Sequence, residues 1–432
     1  MKTSTKLWAL ATFLTAFTGW GNAFGADWVV EENGVSPNFA TIQDAVTAAS
    51  PGDRIFVVNK SGSIPYLENV TIDKAIEILP YTANGNFLVF GNYTISPNGS
   101  GFSSTFDSVR IIGMLNQSGS IVAAANNSTG NGIEIDVVSC QLNAGSIIVS
   151  GTQFYSRVSG NWLQSGSITV RESMVTGNLV NGSITVNDAA GSMIGSDETL
   201  YVVGNRLTSS TGASISGTIQ WSNDDHYFHI ANNLVRSNLG GTSGAIRFTS
   251  IRNGGENNQL VNNSIETDGA ADYGITSGAA LASGTRLKIE NNALHDLSGS
   301  STEYALFFNP APSPGALVEI NYNVEEGFAN GLTNVSGAQA VIVGNQTAAS
   351  TFDIDNVTGV CPTAEAINGG HPGNAYTDHD LSRNDCGVAG GSFNYTNFWP
   401  ILTGGARVML VKTPRVALPS SAINAEAEAH DR

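Results

Sequence analysis

Basic residues, charge in general, cysteine and long apolar runs are all scarce in this chain, and each shortage narrows what it can do. Lys and Arg number 19 against 36 Asp and Glu, giving a formal charge of −17. Nucleic acid is therefore a poor partner, because binding it requires basic surface that displaces counterions. A polyanionic sugar is disfavoured too, unless a metal or a local basic patch mediates. Only 13% of residues are charged, so the surface must be largely neutral and polar. Three cysteines is an odd count. Cys361 and Cys386, 25 positions apart, are a candidate disulfide in an oxidising compartment, with two free thiols as the equal alternative. After the first 25 residues no run of about 18 apolar residues occurs, so no transmembrane helix is expected. Phosphate-cradling Gly loops, zinc spacings and a Ser nucleophile elbow are also missing.

What the chain has instead is a leader and a repeat. Lys2 and Lys6 frame the start of an apolar run from Leu7 to Phe17, and the small residues Ala23 and Gly25 follow. Charged, apolar and small-residue regions in that order predict a secretory signal peptide over residues 1–25. Cleavage is expected after Gly25, with Ala23 or Ala26 as alternatives. No Cys stands near that point, so a lipidated N-terminus is not expected. Losing two lysines and no acid takes the formal charge from −17 to −19.

The repeat reads VVGNRL, IANNLV, LVNNSI, IENNAL, INYNVE and IVGNQT. Its asparagines, Asn205, Asn233, Asn263, Asn292, Asn323 and Asn345, are spaced by 28, 30, 29, 31 and 22. A near-constant period of short strands predicts a stacked coil that grows along one axis without splitting into domains. The 49 glycines suit its many tight turns. Each Asn is expected to take the left-handed conformation at a corner and to bond to the same Asn one coil away. Cys140 in VVSCQL, a small buried filler, and Ser173 in VRESMV extend the series backwards at spacings of 33 and 32. A second family, GSIVAA, GSIIVS, GSITVR and GSITVN, starts at Gly119, Gly145, Gly166 and Gly182. Its intervals shrink through 26, 21 and 16, which predicts different sides of the coil rather than one strand in successive turns. Upstream, Ile42, Ala45, Val46 and Ala49 recur at helical spacing between Thr41 and Ser50-Pro51-Gly52. They predict a short amphipathic helix that closes the open end of the coil.

The entry FATIQDAVTAASPGDRIFVV, repeats such as NNQLVNNSI and LKIENNALHD, and the exit AINGGHPGNAYTDHDLSRNDCGVAGG resemble the pectin-lyase-like superfamily of secreted bacterial β-helix proteins. The resemblance spans roughly residues 27 to 395. Leu381, Cys386 and Val388 depart from the usual exit wording. It implies an all-β, right-handed parallel β-helix solenoid with an N-terminal capping helix and a C-terminal strand/loop cap. The expected divisions are the signal peptide 1–25, a strand and capping helix 26–52, coils 53–350, a C-terminal clasp 351–395 and a short strand segment 396–432. The last of these either folds back along the coil or docks to another protein.

Strand alternation sends Leu287 and Ile289 inward and Arg286 and Lys288 outward. The outward row through Lys288 reads Tyr201, His229, Gln259, Lys288, Glu319, Val341, and the row through Arg286 reads Thr199, Tyr227, Asn257, Arg286, Leu317, Gln339. Coils are about 4.8 Å apart, so His229 and Lys288 should lie about 10 Å from one another. Lyases of the superfamily use an Arg or Lys base, often with Ca²⁺, a role that would fall to Arg286 or Lys288. Glu319 beside Lys288 would keep that lysine protonated and unfit as a base. Its hydrolases pair carboxylates, a role for Asp224 and Asp225 with His229 nearby, yet their Gly-His-Gly and Arg-Ile-Lys motifs are absent. Asp378, Asp380 and Asp385 form a candidate Ca²⁺ site in the exit loop; alternatively Arg383 pairs with one of them.

The expectation is an exported protein, secreted or at the cell surface, with no cofactor required. Its function is recognition of polysaccharide along a sheet face without catalysis, with Tyr201, Tyr227, His229 and Arg286 as substrate-binding residues. The alternative is a polysaccharide lyase or glycosidase acting through Asp224, Asp225, His229 and Lys288.

Overall fold

Three short strands and three corners make one turn of this chain, and the turns stack into a parallel β-helix. The computed structural model describes residues 25–393 apart from short stretches, the longest being 188–197 and 208–217, together with the terminal strands Arg407–Lys412 and Glu426–His430. Residues 1–24, where the leader is expected, lie outside the described residues. Sheet I has 13 strands, from Asp27–Val30 to Ala340–Val343. Sheet II has 12, from Tyr66–Leu67 to Gln346–Thr347, and sheet III has 10, from Val70–Ile72 to Leu306–Phe308. All strand pairs within the three sheets are parallel. Each coil visits I, II and III in turn, as in Glu77–Pro80, Phe87–Phe90 and Tyr93–Ile95.

The strands are short because one side chain in two must enter a narrow core and the chain must then turn. In sheet I a single core column runs Val175, Val202, Ile230, Leu260, Ile289, Ile320, Ile342. Burying each such aliphatic side chain contributes about 1.5–3 kcal/mol. The column ends at Ile342, which is 46% exposed, with Val341 and Val343 exposed beside it.

At the other end sits helix α1 (Ile42–Ala48), with Thr41 accepting from Asp44 N as its N-cap. Its Ile42, Ala45 and Val46 are buried in the core with Val30, Ile55 and Ile72. The Gln43 amide donates to Thr71 O and accepts from Thr71 N, supplying the terminal strand of sheet III with bonds a neighbouring strand would otherwise give. The Glu68 carboxylate accepts the N–H groups of Ile42 and Gln43, and Lys74 donates to Thr47 O and Ala49 O.

The corner between sheets I and II holds the Asn ladder. It comprises eight asparagines, Asn161, Asn178, Asn205, Asn233, Asn263, Asn292, Asn323 and Asn345. Each amide donates to the next Asn Oδ1 at 2.9–3.0 Å. Each also donates to a sheet I carbonyl of the preceding coil, as Asn233 does to Val202 O at 2.8 Å. Cys140 joins the column by donating its N–H to Asn161 Oδ1. Three expectations change here. Ser173 is not a ladder residue: it lies within strand Glu172–Thr176, bonded to Ser156 Oγ, and the coil's ladder position is Asn178. The left-handed residue is not the ladder Asn but the one before it: Gly160, Gly177 and Gly204, then Asn232, Asn262, Asn291 and Tyr322, and finally Gly344. The GSI segments are one strand of sheet III in successive coils after all: Ile121 pairs with Ile147, Ile147 with Ile168 and Ile168 with Ile184. The coils here shrink because corner loops are lost, while the three strands are kept. A column of glycines at the II-to-III corner allows it: a Cβ on Gly145 would lie 2.0 Å from Gly119 O.

Residues 352–391 run back along the outside of sheet II as a clasp. Phe352, Ile354, Cys361, Ala366, Cys386 and Val388 pack with the outward Leu234, Ala293 and Val324. The left-handed corner residues grip it. Asn232 donates to Val388 O and Gly390 O, Asn262 to Asn384 Oδ1 and Asp385 O, and Asn291 Oδ1 accepts from His371 N. Cys361 and Cys386 are separate thiols, the alternative left open beside the disulfide. Cys386 donates to Tyr322 O and Cys361 contacts Thr363 Oγ1, so both sulfurs serve packing rather than a cross-link. Beyond the clasp, Arg407–Lys412 and Glu426–His430 form a separate antiparallel pair.

Candidate functional site on the outward face of sheet I

Strand alternation and the parallel register bring one outward row of sheet I into line from end to end. It reads Asp27, Arg54, Glu77, Arg110, Asp136, Arg157, Met174, Tyr201, His229, Gln259, Lys288, Glu319, Val341. The half from Tyr201 onward matches the row expected from the repeat. The half before it was missed, and its first six positions alternate acid and base without interruption.

These six form one ion pair, Asp27 with Arg54, and one run of four, Glu77, Arg110, Asp136 and Arg157. Arg54 binds Asp27 with two hydrogen bonds of 2.8 and 2.9 Å. Arg110 sits between Glu77 at 2.9 Å and Asp136 at 3.2 Å. Arg157 lies 3.5 Å from Asp136 and also binds Glu134. One exposed pair is worth about 0–1 kcal/mol, but a network on a rigid sheet holds each guanidinium in a fixed orientation. The Tyr155 ring lies under Arg157, its centroid 5.4 Å from the guanidinium carbon.

Aromatic rings follow on the same face. Tyr201 and His229 are adjacent, ring centroids 5.7 Å apart, and Phe393 at the end of the clasp meets His229 edge-on at 5.6 Å. Burial pushes the His229 imidazole down to about 4, against a raising hydrogen bond with Gln259, so the ring is neutral at pH 7. Tyr227, expected to touch ligand, is 8% exposed beside Thr199, so little of it is open. Arg286 is exposed and pairs in register with Leu317, and Asn257 lies outside the described residues.

The remaining candidates do not converge with these. Asp224 and Asp225 lie in the corner before Tyr227–Ala231, where the N–H groups of Asp225 and His226 donate to Asn223 Oδ1. Lys288 stands opposite Glu319 in register as expected, and the structure also places Glu290 Oε2 at 3.9 Å from its ammonium. His229 and Lys288 are two coils apart, separated by Gln259.

In the clasp, burial, with the charges of Asp385 and Asp380 alongside, pushes the Asp378 carboxyl up to about 6. It accepts from Gly391 N and Asp385 N, and Asp385 accepts from Asn368 N. Asp380 is exposed and held by Ser382. All three carboxylates thus accept loop backbone N–H groups, and among the described residues no three His, Cys, Asp or Glu side chains are grouped to hold a metal ion. The residues do not fit the Ca²⁺ site expected of them. Arg383 donates to Gly370 O and Gly369 O, so these bonds also go to backbone.

No protein family, curated protein or solved structure matches this chain. Among the described residues no helix is long and apolar enough to cross a membrane.

Proposed function

We propose that this is an exported, pectin-lyase-like β-helix protein that holds a polysaccharide along the outward face of sheet I without transforming it. The reading rests on one observation: the guanidiniums and carboxylates of Arg110, Asp136 and Arg157 share the outward face of sheet I with two tyrosine rings, Tyr155 on the strand of Arg157 and Tyr201 two coils further on, past the buried Met174. From Arg110 to Tyr201 is four coil steps, about 19 Å, enough to lie under several sugar units. Tyrosine offers a flat apolar face and a hydroxyl, and ion pairs offer donors and acceptors already oriented, so little freedom is lost on binding. The alternation of charge also leaves the strip nearly neutral in a chain of charge −17, which suits a neutral or weakly acidic glycan better than a polyanion.

The test is retardation in native gels that contain, one at a time, neutral and uronate polysaccharides, with unsaturated products and reducing ends followed in parallel. Retardation by at least one glycan, weakened tenfold or more in Tyr201→Ala and Tyr155→Ala and without product, is the expected outcome. Release of product that Lys288→Ala or Asp225→Asn abolishes would replace this reading with the lyase or glycosidase one.

A further inference from the structure

The first residue that the β-helix uses is Ala26. Its carbonyl accepts from Arg54 N at 3.0 Å, which begins the pairing of sheet I, and its N–H donates to Asp53 Oδ1 at 2.6 Å. Asp53 is 5% exposed and takes two more donors, Trp28 Nε1 and Ser50 N, both at 2.7 Å. Burial works against this carboxylate, but the donors of Ser50, Trp28 and Ala26 outweigh it and hold its carboxyl below the usual range. One residue earlier the chain is cramped: a Cβ on Gly25 would lie 2.0 Å from Gly52 O. The small-residue pattern Ala23, Gly25 independently marks the bond between Gly25 and Ala26 as the cleavage point of a leader. Sequence and geometry thus meet at one peptide bond.

We propose that the chain is cut between Gly25 and Ala26 and that the α-ammonium so created is held by Asp53, closing the first coil with an ion pair. A leader peptidase and water supply the step: the C–N bond breaks, the hydroxyl goes to the Gly25 carboxylate, and the freed Ala26 amine takes up a proton. Before the cut, Asp53 receives one neutral N–H from this position; afterwards it faces a full positive charge. The other charged groups around it are Lys74, engaged with the carbonyls of Thr47 and Ala49, and Arg54, engaged with Asp27. Neither takes the place of the ammonium. The inference rests on the export part of the reading above and is independent of the glycan.

Two measurements test it. The N-terminus of the exported protein is read by mass, and Ala26 is expected first; any other first residue, or an uncut leader, overturns the proposal, and the uncut leader overturns export as well. Separately, the full mature chain beginning at Ala26 is prepared by cutting a removable tag, and its α-amine is labelled with an acylating reagent across pH. Half-labelling should shift upward by about one unit or more relative to Asp53→Asn, from the ordinary value of about 8. A chain that keeps Gly25, and so places its amine one residue away, gives the same comparison with Asp53 intact. Equal labelling curves in all three chains would overturn the ion pair while leaving export standing.

Discussion

Two adjacent asparagines, Asn262 and Asn263, carry separate duties, and substituting them one at a time should separate clasp from coil. Asn262 is left-handed at φ 54, and its amide donates to Asn384 Oδ1 and Asp385 O at 2.8 Å each. Glycine accepts that backbone freely, so Asn262→Gly removes the grip and leaves the corner in place. Two hydrogen bonds at about 0.5–1.5 kcal/mol each predict a loss of about 1–3 kcal/mol confined to the clasp. At about 1.4 kcal/mol per factor of ten, amides of residues 384–391 should exchange roughly five-fold to over a hundred-fold faster. Those of Asn258–Val261 and Ser264–Thr267 should be unchanged. Asn263→Ala should act in the opposite way. It strips partners from Ile230 O and from Asn233 N, both buried, at about 1–3 kcal/mol for each deserted group, and so weakens the coil by about 2–6 kcal/mol. Hydrogen exchange with mass readout checks both. If Asn262→Gly loosened coil and clasp equally, or left the clasp untouched, the division of labour would be refuted.

Further outcomes follow from the same geometry. Gly145→Ala should destabilise strongly in denaturant unfolding, by more than the about 1–3 kcal/mol of backbone strain alone, because φ is 142 and the new Cβ meets Gly119 O; Gly299→Ala, left-handed but with open space around it, should cost far less. Glu325 faces the core side of the last coils and is held by Thr347, and burial raises its carboxyl above the ordinary range. A carboxyl raised on folding contributes most below its unfolded value and loses that contribution as pH rises through the folded one. Glu325→Gln should therefore raise the thermal midpoint at pH 7, with the gain fading below about pH 4. Thiol reagents should find no reactive cysteine in the native protein, since Cys140, Cys361 and Cys386 are buried, and three in denaturant without reductant; a count of one would restore the disulfide.

The repeat was legible wherever the coil kept a steady length. The six ladder positions from Asn205 to Asn345 set the register of sheet I, and with it the row from Tyr201 to Val341. That reading failed upstream because it took period as the signal. Between Asn161 and Asn178 a coil needs only 17 residues, and loss of corner loops moved the next ladder Asn to 178 while Ser173 imitated the pattern inside a strand. The shrinking GSI intervals recorded the same shortening and were read as different sides. The acid–base row from Asp27 to Arg157 stayed hidden for this reason: its members stand 27, 23, 33, 26 and 21 residues apart, and only the pairing aligns them. The clasp was legible as a closing segment but not its seat. The contacts that place it, such as Asn262 with Asn384, span 122 residues and leave no local trace beyond Asn or Tyr in corners where other coils have Gly.

The most direct test of the account is hydrogen exchange of the protein with and without a retarding polysaccharide. Protection should appear at strands Gly132–Val138, Phe154–Ser159 and Thr199–Val203 of sheet I, and not at Ile147–Val149 and Ile168–Val170 of sheet III. Protection confined to sheet III, or to the clasp, with sheet I unchanged would contradict it.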